Sequence, residues 1–187
     1  AEKARQTAKS QGGRVVVIND NYRHPRLTDA DYLYACDQKW WKHHLSQIKE
    51  VFTGELWMQA HNQDTRKYAQ QNGINVIEGR GGQGLGDEFV YHGSNSGHQA
   101  LNLAYVLSRR MGEIPKHIYL LGFDMGATGQ THWFGLHPDG WVNGNYAGFK
   151  DQFDKIAAQL KALGVEVINL TRETNLTQFK RATIDDI

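Results

Sequence analysis

Residues 92–107 read HGSNSGHQALNLAYVL, and residues 117–125 read HIYLLGFDM. The first stretch carries the apolar spacing of a helix that begins at about Ser96. The second is the short apolar run of a buried strand, His117 to Leu121, that leads into Asp124. Gly93 and Gly97 let backbone approach a ligand closely, while Ser94, Asn95 and Ser96 offer capping oxygens. A helix begun this way points free N–H groups forward, which suits a phosphate or a carboxylate. The same residues also make a plain loop with an N-cap. They form neither a Walker loop, which needs Gly-Lys-Ser/Thr, nor the Gly-x-Gly-x-x-Gly of dinucleotide binders.

Outward from this unit, short apolar runs alternate with amphipathic segments. Residues 1–11 favour helix and stop at Gly12-Gly13, and RVVVI (14–18) is a β-branched run suited to a strand covered on both faces. DYLYA (31–35) predicts a second strand and 38–50 a helix. Residues 55–58 predict a third strand, followed by a helix that Asp64 can cap and that ends near Asn72-Gly73; 74–77 predict a fourth strand. Residues 78–94 are so rich in glycine that they read as a mobile lid or a disordered connection. After the polar loop 124–145 come a helix over 146–163, a strand over 165–170 and a short helical stretch around 175–181. The alternation predicts an α/β protein with a Rossmann-like, mainly parallel sheet flanked by helices, in one domain spanning residues 1–187.

Composition narrows the partners. The chain has 187 residues, 40% of them hydrophobic, and its 21 basic and 20 acidic side chains leave a formal charge of +1. This near balance gives no electrostatic footprint for a nucleic-acid duplex or an anionic membrane. A lone cysteine, Cys36, suits a reducing compartment, and no apolar run approaches the length of a membrane span. The expectation is a cytoplasmic protein.

In an open parallel sheet the ligand crevice lies beyond the carboxyl ends of the strands, so the residues just after each strand are the candidates. Asn19, Asp20 and Asn21 follow the first strand, and Cys36 and Asp37 the second. Asp124 follows the strand at 117–121, and Asn169, Thr171 and Thr174 follow or close the last. The loop GATGQTHWFGLHPDGWVNG (126–144) adds His132 and His137 as candidate general acid or base, with Asp124 or Asp139 to orient one of them. His132, His137 and Asp139 lack the regular spacing of zinc sites, so no metal site is expected. Trp133 and Trp141 suit stacking on a base or sugar, or anchoring the loop to the core. His43 and His44, beside Lys42, read as a solvated helix face.

GSNSGHQALNLAYVL followed by HIYLLGFDM resembles the Ser-Gly helix start and Ile-Tyr-Leu-x-Gly-x-Asp strand of the bacterial lipooligosaccharide sialyltransferases, glycosyltransferase family 42. It also resembles the related MptE-like proteins (domain of unknown function 115), which include archaeal 6-hydroxymethylpterin diphosphokinases. Over nearly the whole chain, VVVINDNYR, DADYLYACDQKWW and the loop containing DMGATGQTHWFG are similar to small proteins of tailed phages and prophages.

The sialyltransferase resemblance implies nucleotide contacts from Asn19, Asp37 and Ser94, Asn95, Ser96 and Gly97. It implies leaving-phosphate contacts from the loop holding Thr131 and His132, and a histidine base at His137. The donor it implies is a nucleotide-sugar, CMP-linked in that family, with an unidentified acceptor, acting in a bacterial host cell. Two departures stand out. Gly126 and His132 occupy the approximate places of the family's tyrosines, and the chain opens on AEKARQTAKS, similar to the helix that follows the family's first strand and Gly-x-Gly-Pro-Ser-Leu turn. That first strand is therefore expected to be missing here. Two other functions stay open: a diphosphokinase-like transfer from ATP with Mg²⁺ on Asp37 or Asp124, and a non-catalytic phage accessory or binding protein.

Overall fold

The computed structural model describes residues 2–93, 95–126 and 146–187. Five short strands, Val16–Ile18 (β1), Tyr32–Tyr34 (β2), Glu55–Ala60 (β3), Asn75–Arg80 (β4) and Phe89–Tyr91 (β5), pair in sequence order, every neighbour parallel. Three more, His117–Leu120 (β6), Glu166–Asn169 (β7) and Lys180–Arg181 (β8), form a second parallel sheet. The helices are Glu2–Ser10 (α1), Gln38–Val51 (α2), Gln63–Asn72 (α3), Ser96–Arg110 (α4), Tyr146–Phe149 (α5) and Phe153–Ala162 (α6). The architecture is Rossmann-like α/β, as the alternation of runs predicts. No helix among the described residues is long and apolar enough to cross a membrane.

Strand alternation divides the core between the two faces of the larger sheet. Leu33 and Met58 point to one side and join Trp40, Trp41 and Ile48 of α2 and Ala69 of α3. Tyr34, Trp57, Ile77 and Val90 point to the other. There they share one apolar cluster with Leu101, Leu103 and Val106 of α4, Phe153 and Ile156 of α6, and Leu120 and Val167 of the second sheet. Both faces are thus covered over β2 and β3, whose middles are accordingly apolar, while Asn75, Glu78 and Arg80 of β4 stay exposed. Leu33 and Ile77 are fully buried, and each contributes roughly 2 kcal/mol of transfer free energy. α1 buries no residue; its Arg5 pairs with Asp29 and its Lys9 donates to the Asp29 carbonyl (3.0 Å).

Several expectations need correction. Of the stretch expected as a lid or a disordered connection, residues 78–93 hold regular structure: β4 runs on to Arg80 and β5 lies within it. The glycine-rich backbone there is fastened by the buried Asn102 of α4. Its Oδ1 accepts from Gly86 N (2.9 Å) and Tyr91 N (3.3 Å), while its Nδ2 donates to Gly86 O (3.0 Å). Residues 175–181 hold no helix and end in β8, and a 3₁₀ turn, Lys150–Gln152, separates α5 from α6 where one helix is expected. Asn62, not Asp64, caps α3, its Oδ1 accepting from Thr65 N (2.8 Å); Asp64 sits in the first turn, where its charge opposes the helix dipole favourably. His44 is not on a solvated face but buried at 3% exposure, whereas His43 is exposed.

Candidate functional site

Parallel strands bring their carboxyl ends to one edge, and α4, which follows β5, returns with its amino end at that same edge. Asn95 caps it: its Oδ1 accepts from His98 N (2.8 Å) and its Nδ2 donates to Gly93 O (3.1 Å). Gly93 adopts φ 51°, and a Cβ there would lie 2.0 Å from His98 Nδ1, so glycine is required both for the turn and for the ring packed against it. Ser96 Oγ lies 3.3 Å from Cys36 Sγ at the end of β2. A Cβ on Gly97 would stand 3.0 Å from Phe123 Cε1 and 3.5 Å from Met125 Cε, just beyond β6. The first turn of α4 therefore sits between the ends of β2 and β6.

One turn further on, Tyr34 Oη donates to Gln99 Oε1 (2.6 Å) and Gln99 Nε2 donates to the His92 carbonyl (2.6 Å), a chain that locks α4 to β2 and to the exit of β5. Burial raises the Tyr34 hydroxyl well above its ordinary pKa, so it remains a donor. Burial likewise pushes the Cys36 thiol up; the Ser96 hydroxyl draws it down in part and the Asp37 carboxylate pushes it up further.

Asn19 follows β1 in left-handed backbone, φ 49°, and opens a 3₁₀ turn, Asn19–Arg23. Asparagine tolerates this conformation better than most side chains. The Asn19 side chain is partly exposed at the carboxyl edge, with β1 paired to β2 through Ile18 and Tyr34. Its neighbour Asp20 turns inward. Asp20 Oδ2 accepts from Trp40 Nε1 (3.0 Å), its Oδ1 lies 3.3 Å from Arg23 Nε and 3.7 Å from His44 Nε2, and His44 Nδ1 is 3.1 Å from Tyr22 Oη. Asp20 is thus a buried anchor for the turn that carries Asn19. Asn21 holds the same turn, its Nδ2 donating to Ile18 O (2.9 Å).

Asp37 is exposed and caps α2, its Oδ1 accepting from Lys39 N (2.7 Å). Asp124 is half-buried just beyond β6; its carbonyl accepts from Asn175 N (2.7 Å), and Met125 after it takes φ 48°. Asn169, Thr171 and Thr174 spend their polar atoms on the β6 exit. Thr171 Oγ1 accepts from Phe123 N (2.9 Å), Thr174 Oγ1 donates to Phe123 O (2.6 Å), and Asn169 Oδ1 accepts from Thr171 N (3.0 Å). They position the Phe123–Asp124 backbone. Ser94, Thr131, His132, Trp133, His137, Asp139 and Trp141 lie outside the described residues.

The structure therefore brings Cys36, Ser96, Gly97 and the Phe123–Met125 segment together, and keeps Asn19 and Asp37 on the same edge through the β1–β2 pair. Among the described residues no three His, Cys, Asp or Glu side chains converge as a metal site requires. A cleft of about 640 Å³ opens elsewhere, at the amino end of β7, lined by Lys161, Glu166, Phe179 and Lys180 among others. Lys180 Nζ there pairs with Glu166 Oε1 (2.9 Å), and none of the strand-end residues lines the cleft, so the carboxyl edge is the stronger candidate.

His98 escapes sequence reasoning because it lies inside an apolar helical stretch. It is fully buried, edge-on to Phe153 (5.6 Å between ring centroids), and neither ring nitrogen has a hydrogen-bond partner among the described residues. Burial lowers its pKa to about 4; the Tyr91 backbone, beside the ring without a well-formed hydrogen bond, opposes this only in part.

No family model, curated protein or solved structure matches the chain.

Proposed function

We propose that the carboxyl edge binds a nucleotide or nucleotide-sugar and that the protein transfers a glycosyl group to an acceptor hydroxyl. The observation that carries this reading is the capped amino end of α4, with Ser96 and Gly97 set between the ends of β2 and β6. Its free N–H groups and positive dipole end stabilise a phosphate that gains charge as it leaves. Asn19, held in an uncommon backbone conformation by a buried anchor, supplies an amide to the same ligand.

In the reaction so read, the acceptor oxygen forms a bond to the anomeric carbon while the bond from that carbon to the phosphate oxygen breaks. The nucleotide departs with the electron pair, and the acceptor proton passes to His137 or His132. Asp124 orients the imidazole. The CMP-linked donor and the phage or prophage setting belong to this proposal and derive from the resemblance of Asn19, Ser94 to Gly97 and the loop holding Thr131.

Calorimetry of the full chain with CMP, UDP, GDP and ATP, each with and without Mg²⁺, tests it. Metal-independent binding of one pyrimidine or guanine nucleotide is expected. Mg²⁺-dependent binding of ATP alone points to phosphoryl transfer, and no binding at about 1 mM, equivalent to about −4 kcal/mol, removes the nucleotide reading altogether.

A further inference from the structure

The ends of β3 and β5 hold a row of polar side chains for which no hydrogen bond is found among the described residues. In ELWMQAH (55–61) the period of two puts Trp57 and Gln59 on the α4 side of the sheet, and His61 follows in the same phase as β3 ends. Gln59 is 8% exposed; its Oε1 is buried with no hydrogen-bond partner among the described residues.

On β4 Gln59 pairs with Ile77, and the next residue on the same face is Gly79. A Cβ there would lie 2.3 Å from Gln59 Oε1 and 3.3 Å from His92 Cε1, so the absent side chain is what lets the amide and the imidazole draw together. The rings of His61 and His92 lie 5.9 Å apart between centroids, at 71°. No hydrogen bond to either imidazole is found among the described residues. The backbone beneath is rigid, because Gln99 Nε2 holds the His92 carbonyl and Tyr34 holds Gln99.

Burial, helped by His61, keeps the His92 imidazole below its ordinary pKa and hence neutral at pH 7. Glu78 and Arg80 of β4 take the opposite phase to Gly79 and pair with each other (2.8 Å). The Gln59 amide and the neutral His92 imidazole each donate and accept, and so match hydroxyl groups, which do the same. A phosphate or a carboxylate only accepts, and would leave the acceptor atoms of the row without a donor. Leaving such groups unpaired costs stability, and a ligand that completes them recovers it.

We infer that Gln59, His61 and His92 form a second subsite on the carboxyl edge that binds the hydroxyl groups of a sugar or similar polyol. Its role as the acceptor side of a transfer rests on the function proposed above; the binding itself does not.

The test follows the imidazole ¹H–¹⁵N signals of the full chain during separate titrations with methyl β-galactoside and with CMP. The glycoside is expected to shift His61 and His92, and Gln59→Leu, which replaces the unpaired amide with an apolar group of similar size, is expected to weaken it about fivefold or more while CMP affinity stays within about twofold. Absence of His61 and His92 shifts in the unaltered protein at about 100 mM glycoside overturns the inference, and that outcome needs no variant to fold. Shifts of the same two residues by CMP alone also overturn it, since the row then belongs to the nucleotide. Glycoside shifts without any CMP binding leave the subsite standing and remove the nucleotide reading.

Discussion

Cys36 Sγ and Ser96 Oγ meet at 3.3 Å, a polar contact that joins the exit of β2 to the first residue of α4, beside the Tyr34–Gln99 hydrogen bond. The contact works against the burial that raises the Cys36 pKa, because the hydroxyl stabilises the thiolate. Ser96→Ala removes that help, so the pH midpoint of iodoacetamide alkylation moves upward and the rate at pH 7 falls. An unchanged midpoint shows that the two groups do not interact in solution. CMP bound at the α4 start shields the same thiol, and a slower alkylation rate in its presence checks the site independently of calorimetry.

Asn95 is the hinge of the helix start, since its carboxamide satisfies His98 N and reaches back to Gly93 O. Asn95→Ala is expected to cost about 1 kcal/mol. Thermal unfolding should fall by about 3 °C for a chain of this size. Asn95→Asp keeps the cap oxygen and the favourable charge at the positive helix end, and should retain most of the stability. It should nonetheless repel an anionic ligand and weaken nucleotide binding. Equal losses of stability in the two variants contradict the capping role.

How far the sequence reveals this arrangement depends on how local the causes are. RVVVI and DYLYA declare strands because a run of β-branched or aromatic residues has few other places to go, and the shared carboxyl edge follows from the parallel order. Asn19, Cys36, Ser96 and Asp124 are visible for that reason. β5 is hidden, since three residues among glycines acquire their partners from β4 and from the distant Asn102 side chain. His44 misleads because His43 and Lys42 beside it are polar. The spacing Trp40, His44, Ile48 is nevertheless that of a buried helical stripe, and all three are buried. Gln59 and His61 lie just past the strand expected over 55–58, and their neighbours Gly79 and His92 come from other strands, so only the pairing of the sheet brings them together.

His98 makes stability depend on pH in a defined window. Its folded pKa of about 4 lies below the ordinary value of 6.5, so the unfolded chain takes up the proton first. Stability from the neutral ring is complete above about pH 6.5, falls as pH drops toward about 4 and is level below that, a total of roughly 3 kcal/mol. Urea unfolding of the protein and of His98→Gln across pH 4–8 isolates this contribution as the difference between the two curves. Parallel curves overturn the assignment.

Asp20 and Trp40 carry the last expectation, which concerns the anchor beneath Asn19. The carboxylate is 3% exposed and accepts from Trp40 Nε1, while Arg23 approaches it from a more exposed position. Asp20→Ala leaves the indole N–H without its acceptor and should cost about 2 kcal/mol; Asp20→Asn keeps an oxygen and should cost less. Trp40→Phe removes the donor, so the double variant Asp20→Ala/Trp40→Phe should be less destabilised than the sum of the singles by about 1 kcal/mol. Additivity within about 0.3 kcal/mol means the hydrogen bond contributes nothing. Nucleotide affinity then separates anchor from contact. Because Asp20 faces the core and Asn19 the edge, Asp20→Asn should weaken CMP less than Asn19→Ala does, and the reverse order places the ligand on the wrong side of the turn.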